Sequence, residues 1–361
     1  MSKSAQLSVL VPCYCLVGSK DHLLVKVFRD SLLAEGVNVV CDPNEFWNPS
    51  RRYDIIHYQW PDAIIVGMGL SRESLSAVTG RIAQYKREGM KFVITRHNEH
   101  KHYGASPLWD DLYKIVESSC DIILHMGRYS RDTMPSDHCG DNARHFIVPL
   151  PTYPDIDRTV EKEAARHELG FGEGDKIVLA FGDFRSDEER IMVLSSMKKL
   201  REEKVRLLAP RLFNSSIRGH GKVHAYRELR NRLRFLRYGL LLGNYGLVTN
   251  KLLSLQFAAS DVVLIQRKIV LNSGNLPMGF YFGKVVVGPD RGNVGEILKE
   301  TGNPVFNPDD ENSVARAVKE AFALAAQGKG EENRRYAEKY WSPDICAHAI
   351  VKVYEEMLGE T

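Results

Sequence analysis

Several things are missing from this sequence, and each absence narrows what it can be. No apolar run reaches the roughly 18 residues that a membrane-spanning helix needs, so a span is excluded. The N-terminus, MSKSAQLSVLVPCY, lacks the long apolar segment and small-residue cleavage site of a secretory leader, so a cytoplasmic location is expected. The six cysteines (Cys13, Cys15, Cys41, Cys120, Cys139, Cys346) form no CxxC pair and no second cluster, which argues against a zinc site or a disulfide framework. Cys13 and Cys15, two apart, share one face of the first strand and read as buried thiols. No GxGxxG follows a strand, which disfavours an NAD-dependent dehydrogenase. Net charge is only +3, too little to argue for nucleic acid, and neither short repeats nor low-complexity tracts occur.

What is present is an ordinary globular composition, 43% hydrophobic and 26% charged, in a chain of 361 residues. That length exceeds one ordinary core and suits two domains. In the N-terminal half short apolar runs alternate with helical stretches: LSVLVPC (7–13), a helix over 21–35, strands over 37–41, 53–58 and 91–95, a helix over 71–88, then strands over 121–125 and 145–149. That rhythm is the signature of βαβ units in a doubly wound parallel sheet. Pro149, Pro151 and Pro154 crowd together and mark a linker. Beyond it strands over 176–181, 205–209, 261–265 and 284–288 repeat the pattern. A helical tail over 310–358 follows, broken near Trp341, Ser342 and Pro343. The expected fold is therefore α/β, two Rossmann-like domains with parallel sheets facing across a cleft: 1–152, 153–340, and a C-terminal helix, 341–361, packing back on the first domain. Ligands on such sheets bind at the carboxyl ends of the strands.

Within Asp261–Leu298 a buried strand enters a polar loop, Asn272, Ser273, Gly274, Asn275, ahead of a short helix and the strand KVVVG. A loop of this kind at a helix start presents backbone N–H groups and the positive end of the helix dipole to an anion. Asn272 and Ser273 read equally well as simple helix caps. The segment resembles the donor-binding region of GT-B glycosyltransferases, in particular bacterial enzymes of exopolysaccharide and capsule assembly, where a strand ending near an arginine leads into NSGNLP, FGK and a buried VVV strand.

The resemblance implies that Asn272, Ser273, Gly274, Asn275 and Leu276 lie against the phosphates or ribose of a UDP- or GDP-sugar, with Arg267 nearby. Glu296 sits where similar enzymes carry an acidic residue after a glycine loop; it also reads as a first-turn helix carboxylate. LAFGDFRSDEER resembles the family segment that opens the donor domain, with Gly182 and Arg185 matching the glycine and an arginine that neutralises the diphosphate. Asp187, Glu188 and Glu189 replace the lysine often found after it. The two glutamates of the large retaining branch are replaced by Val270 and Met278, so the stereochemical outcome stays open.

In the first domain YDIIHYQWPD and FVITRHNEHKHY end two parallel strands and resemble the HxxWP-plus-acid and TxHN segments of related polysaccharide enzymes. Asp62, His97 and Glu99 are the candidate catalytic residues, one of them removing the acceptor's proton if the reaction inverts. His97, His100 and His102 lack a fourth ligand, and Trp60 reads as packing sooner than sugar stacking. Enzymes of this kind generally work without a bound divalent metal, so no metal and no cofactor are expected.

Between Arg201 and Asn250 lie eleven Lys or Arg against three Glu. The stretch 218–237 mixes them with Leu, Phe and Tyr. This composition suits an anionic membrane surface, consistent with a saccharide or lipid-linked acceptor and a peripheral position on the inner face of the plasma membrane. A solvated helix face explains it equally. The rival functions are a sugar-nucleotide epimerase and a non-catalytic nucleotide-sugar-binding protein.

Overall fold

The structure is a computed structural model that describes residues 6–17, 20–99, 106–212 and 249–359. The basic stretch 218–237 lies outside the described residues, as do His100 and His102. The chain divides into two compact units, Met1–Pro151 with Tyr340–Thr361, and Thr152–Lys339.

Unit 1 carries a parallel sheet of β1 (Ser8–Val11), β4 (Asn38–Cys41), β5 (Ile55–Tyr58), β6 (Lys91–Thr95), β7 (Ile122–His125) and β8 (Arg144–Ile147), in the order β4-β1-β5-β6-β7-β8. A small antiparallel pair, β2 (Leu16–Val17) and β3 (Lys20–Asp21), follows β1 and has no apolar alternation that would have revealed it. The strands are nearly continuous Val, Ile and Leu because both faces are covered. On one face Val9, Val11, Ile55, Val93, Ile122 and Leu124 pack with α1 (Leu23–Ala34) and the C-terminal helix Pro343–Leu358. On the other, Leu10, Ile56, Tyr58, Phe92, Ile94 and Ile123 meet α2 (Pro43–Trp47), α3 (Arg72–Arg87) and α4 (Pro107–Ser119). Helix starts follow local chemistry. Asp42 and Ser106 cap helices whose first residue is proline, and Ser71 and Ser74 form a reciprocal capping box. A short α5 (Arg128–Asp132) follows β7.

Unit 2 repeats the plan. After α6 (Lys162–Leu169), strands β9 (Lys176–Leu179), β10 (Val205–Leu208), β11 (Val262–Leu264), β12 (Val285–Pro289) and β13 (Val305–Phe306) form a parallel sheet in the order β10-β9-β11-β12-β13. Helices α7 (Asp187–Lys199) and α11 (Glu311–Ala326) cover one face, where Met192, Val193, Val314 and Val318 meet Val178, Val262 and Val285. Among the elements joining these strands are α8 (Asn250–Ala259), α9 (Asn275–Tyr281) and α10 (Gly292–Glu300). Gly279 lets α9 lie directly on β12, since a Cβ there would sit 2.5 Å from Val286 Cγ2. The tail comprises α11, α12 (Lys329–Tyr340) and α13 (Pro343–Leu358). A second break, at Gln327 and Gly328, divides the tail, with Gly328 at φ +87°. Among the described residues no helix is long and apolar enough to cross a membrane.

In both sheets the strand order reverses beside the first strand, between β1 and β5 and between β9 and β11. Crevices for ligands form at such switch points.

Candidate functional site

In unit 2 the loop after β9 comes first. Gly182 has φ +100°, a backbone conformation that favours glycine. A Cβ at Gly182 would lie 3.6 Å from Asn275 Nδ2, 3.7 Å from Gln266 Nε2 and 3.9 Å from Arg267 NH2, so three nitrogen donors ring one point beside the backbone. The loop is fixed by its carbonyls. Gln266 Nε2 donates to Phe181 O and Gly182 O, both at 3.1 Å, and Asn275 Nδ2 donates to Phe181 O at 2.5 Å. Arg267 NH1 donates to Asp183 O at 2.5 Å.

The acidic run Asp187, Glu188 and Glu189 has a defined task. Ser186 caps α7 by accepting from the Glu189 N–H at 3.3 Å. The Glu189 carboxylate accepts from the Arg185 N–H at 2.7 Å and from Arg267 NH1 at 3.0 Å. Glu189 is buried, and the side chains of the ion pair are 14% and 5% exposed, so Arg267 is held in place by a charge-assisted bond in a low-dielectric setting. The start of α7 is thus occupied by the protein's own carboxylate, held by the Arg185 backbone N–H and the Arg267 guanidinium.

The NSGNLP loop is knit mostly to itself. The Asn275 N–H points to Ser273 Oγ at 3.4 Å, and the Leu276 N–H donates to Ser273 O at 3.1 Å. Gly274 is the N-cap residue and no side chain caps the helix, so the Ser273 hydroxyl makes only this long contact within the loop, while the Leu276 side chain is buried in the core. Asn272 Oδ1 accepts from Asn293 Nδ2 at 2.8 Å, joining the loops after β11 and β12. Those loops touch closely. A Cβ on Gly292, where φ is +58°, would fall 2.3 Å from Val270 O. Gly274 is exposed at the head of α9, beside the Tyr153 hydroxyl. Glu296 is half-buried in the second turn of α10, beyond the first turn where a carboxylate best meets the helix dipole.

More cations gather at this end of the sheet. Lys268 and Arg291 share Asp309, at 3.2 and 3.1 Å, and Arg211 pairs with Asp183 at 3.3 Å. The sequence reading missed Gln266 and Asn293, whose signal was their position just past buried strands. Among the described residues no group of three or more His, Cys, Asp or Glu is disposed to hold a metal. An Asp-x-Asp sequence does occur at Asp155–Asp157, where Asp157 accepts from the Thr159 N–H and hydroxyl in a turn.

The carboxyl end of the unit 1 sheet is built differently. His57 is fully buried between the Tyr354 hydroxyl, 2.5 Å from Nδ1, and Thr95 Oγ1, 2.7 Å from Nε2. His97 Nε2 donates to Gln59 Oε1 at 2.7 Å, and its ring stacks on Trp60 with centroids 4.4 Å apart. Burial disfavours the imidazolium and pushes the pKa of both histidines down to about 3. His97 is therefore neutral, a poor match for a base working near neutral pH. Trp60 is spent on packing, between His97 and His22.

Asp62 lies in a 3-10 turn, Pro61–Ile65, just after β5. Its Oδ1 accepts from the Tyr113 hydroxyl at 3.2 Å, and Tyr113 also contacts the Asn98 side chain, so Asp62 and the TRHN strand end meet through one tyrosine. Glu99 is half-buried at the end of the same segment.

Comparison with solved structures places this architecture. The fold is that of the GT-B glycosyltransferases over nearly the whole chain. HepE of Anabaena, solved in complex with UDP-glucose, is 11% identical, covers 97% of this chain and 99% of its own, and gives a TM-score of 0.72. Sucrose-phosphate synthase from Thermosynechococcus elongatus is 14% identical, with 99% of this chain and 100% of that chain covered, at a TM-score of 0.71. A glycosyltransferase from Rickettsia africae is 12% identical, with 99% and 100% covered, at 0.67. No family model matches the sequence, and no curated protein sequence matches it. At such identities the likeness establishes fold, and function must be argued from the site.

Proposed function

We propose that this protein is a glycosyltransferase that moves a sugar from a UDP- or GDP-sugar to an acceptor hydroxyl. The observation that carries the reading is the ring of donors around Gly182. Asn275 Nδ2 and Arg267 NH2 converge on a backbone position that has no side chain, at the switch point of a parallel sheet, while Gln266 Nε2 holds the loop's carbonyls in place. Such a site lets a diphosphate approach the backbone closely.

The acceptor oxygen attacks the anomeric carbon while the bond from that carbon to the phosphate oxygen breaks, and the nucleoside diphosphate leaves with the electron pair. Arg267 and Arg185 neutralise the charge that develops on the leaving oxygen, a contribution that is large when the cation is already oriented. Glu189 supplies that orientation for Arg267. In an inverting reaction the hydroxyl proton passes to Asp62, since His97 is held neutral with its Nε2–H engaged. The arginines do the neutralising that a divalent ion would otherwise do, so activity survives a chelator. The acceptor is a saccharide or lipid-linked saccharide of bacterial surface polysaccharide assembly, met at the inner face of the plasma membrane.

A thermal-shift series with UDP, GDP, ADP and CMP tests the donor, because a ligand of the folded state alone raises the melting temperature. UDP or GDP is expected to give the largest rise. Incubation with sugar donor alone then separates transfer from epimerisation: accumulation of an epimerised sugar without acceptor would refute transfer.

A further inference from the structure

Unit 2 brings one more polar group to the NSGNLP loop. Tyr153, within the proline-rich stretch 149–154, is only 6% exposed. A buried tyrosine ordinarily finds a hydrogen-bond partner for its hydroxyl. Among the described residues the Tyr153 side chain has none: burial alone raises its pKa above the ordinary phenol value, with no charged or hydrogen-bonded neighbour adding to it. The hydroxyl is not sealed in either. Tyr58 Oη is both unpaired and enclosed, whereas Tyr153 Oη keeps accessible surface.

What the hydroxyl faces is Gly274. A Cβ on that glycine would lie 2.9 Å from Tyr153 Oη, closer than such atoms come in proteins. The backbone there is helical, with φ −61° and ψ −18°, which any residue adopts. Conformation therefore does not call for glycine at this position; the approach of the tyrosine does. Gly274 is exposed, and the residue after it is Asn275, whose Nδ2 lies 3.6 Å from the Cβ position of Gly182. The loop thus gives up a side chain where the tyrosine hydroxyl stands, next to the residue that borders Gly182.

We propose that Tyr153 is a further donor-binding residue whose hydroxyl donates to the terminal phosphoryl group of the nucleoside diphosphate. A phenol kept protonated is a neutral donor, so it meets an anion without repulsion, and a bond to a charged acceptor is the stronger kind. A phosphoryl oxygen is assigned because the neighbouring side chains, Asn275 and Arg267, are those of the diphosphate position at Gly182. The inference deepens the donor reading and rests on it for the identity of the ligand.

Isothermal titration calorimetry on the full-length protein and on Tyr153→Phe, with UDP, GDP, UMP and GMP as probes, tests it. Since the hydroxyl bonds to nothing among the described residues, Tyr153→Phe is expected to keep the melting temperature of the unliganded protein. The variant is expected to bind the preferred diphosphate about tenfold more weakly, as for losing one hydrogen bond to a charged group, and to bind the corresponding monophosphate as the wild type does. A diphosphate bound equally by both proteins overturns the role of Tyr153 and leaves the donor reading standing. An equal loss for diphosphate and monophosphate, with a lowered melting temperature, makes Tyr153 a packing residue and overturns the proposal too. Wild-type protein that binds none of the four nucleotides removes the donor reading, and this inference with it.

Discussion

The carboxyl ends of the two sheets share a topology and differ in chemistry. In unit 1 that end holds two buried neutral histidines, His57 between Tyr354 and Thr95 and His97 between Gln59 and Trp60, beside the Asp62 carboxylate. In unit 2 it is made of charges and fixed carbonyls, with Arg267 on Glu189 and Asp183, and Lys268 and Arg291 on Asp309. One strand plan thus supports two chemistries, buried neutral rings in one unit and paired charges in the other. The difference arises in the few residues after each strand, because the strands themselves are interchangeable runs of Val, Ile and Leu.

The comparison breaks first at Arg267. Arg267→Ala leaves the buried Glu189 carboxylate uncompensated, so stability falls by about 3–5 kcal/mol in denaturant titrations and UDP affinity drops about 100-fold. Adding Glu189→Gln restores most of the stability and none of the affinity. Recovery of both would mean that Arg267 serves the fold alone. Next is Gly182→Ala. Its methyl would enter the ring of donors and its backbone would be held at positive φ, costing about 1–3 kcal/mol and weakening UDP about tenfold by calorimetry.

Tyr354→Phe probes the neutral side, removing the His57 partner for about 1–2 kcal/mol while UDP affinity stays unchanged. A further effect is on pH. Because the folded-state pKa of His57 and His97 lies near 3, below that of the unfolded chain, the unfolded state binds protons first as pH falls from about 6.5. The stability present above about pH 6.5 is therefore lost progressively toward pH 3. His57→Asn flattens the slope between about pH 6 and 5 by at most about 1.4 kcal/mol per unit, measured by urea unfolding across pH.

Much of the fold could be read from period and punctuation. The strand Lys91–Thr95 coincides with the reading of KFVIT, and the helix Arg72–Arg87 falls one residue inside its expected ends because Ser71 caps it. The pair β2 and β3 and the two-residue β13 escaped, being too short to set up alternation. Within the site, chemistry-bearing residues at strand ends were visible: Gly182, Arg267, Asn275, Asp62. Pairings were not. That Glu189 reaches Arg267, 78 residues away, or that Tyr354 closes on His57, 297 residues away, depends on tertiary placement. Gln59 and Gln266 passed unnoticed because an amide acquires a role only from the groups packed around it.

The most direct test is crystallographic: a soak with UDP. The diphosphate is predicted beside Gly182, within hydrogen-bond reach of Arg267 and Asn275, with the Gly182 loop unmoved. UDP bound elsewhere on the protein, with the Arg267–Glu189 pair and the Gly182 loop untouched by ligand, would contradict the account.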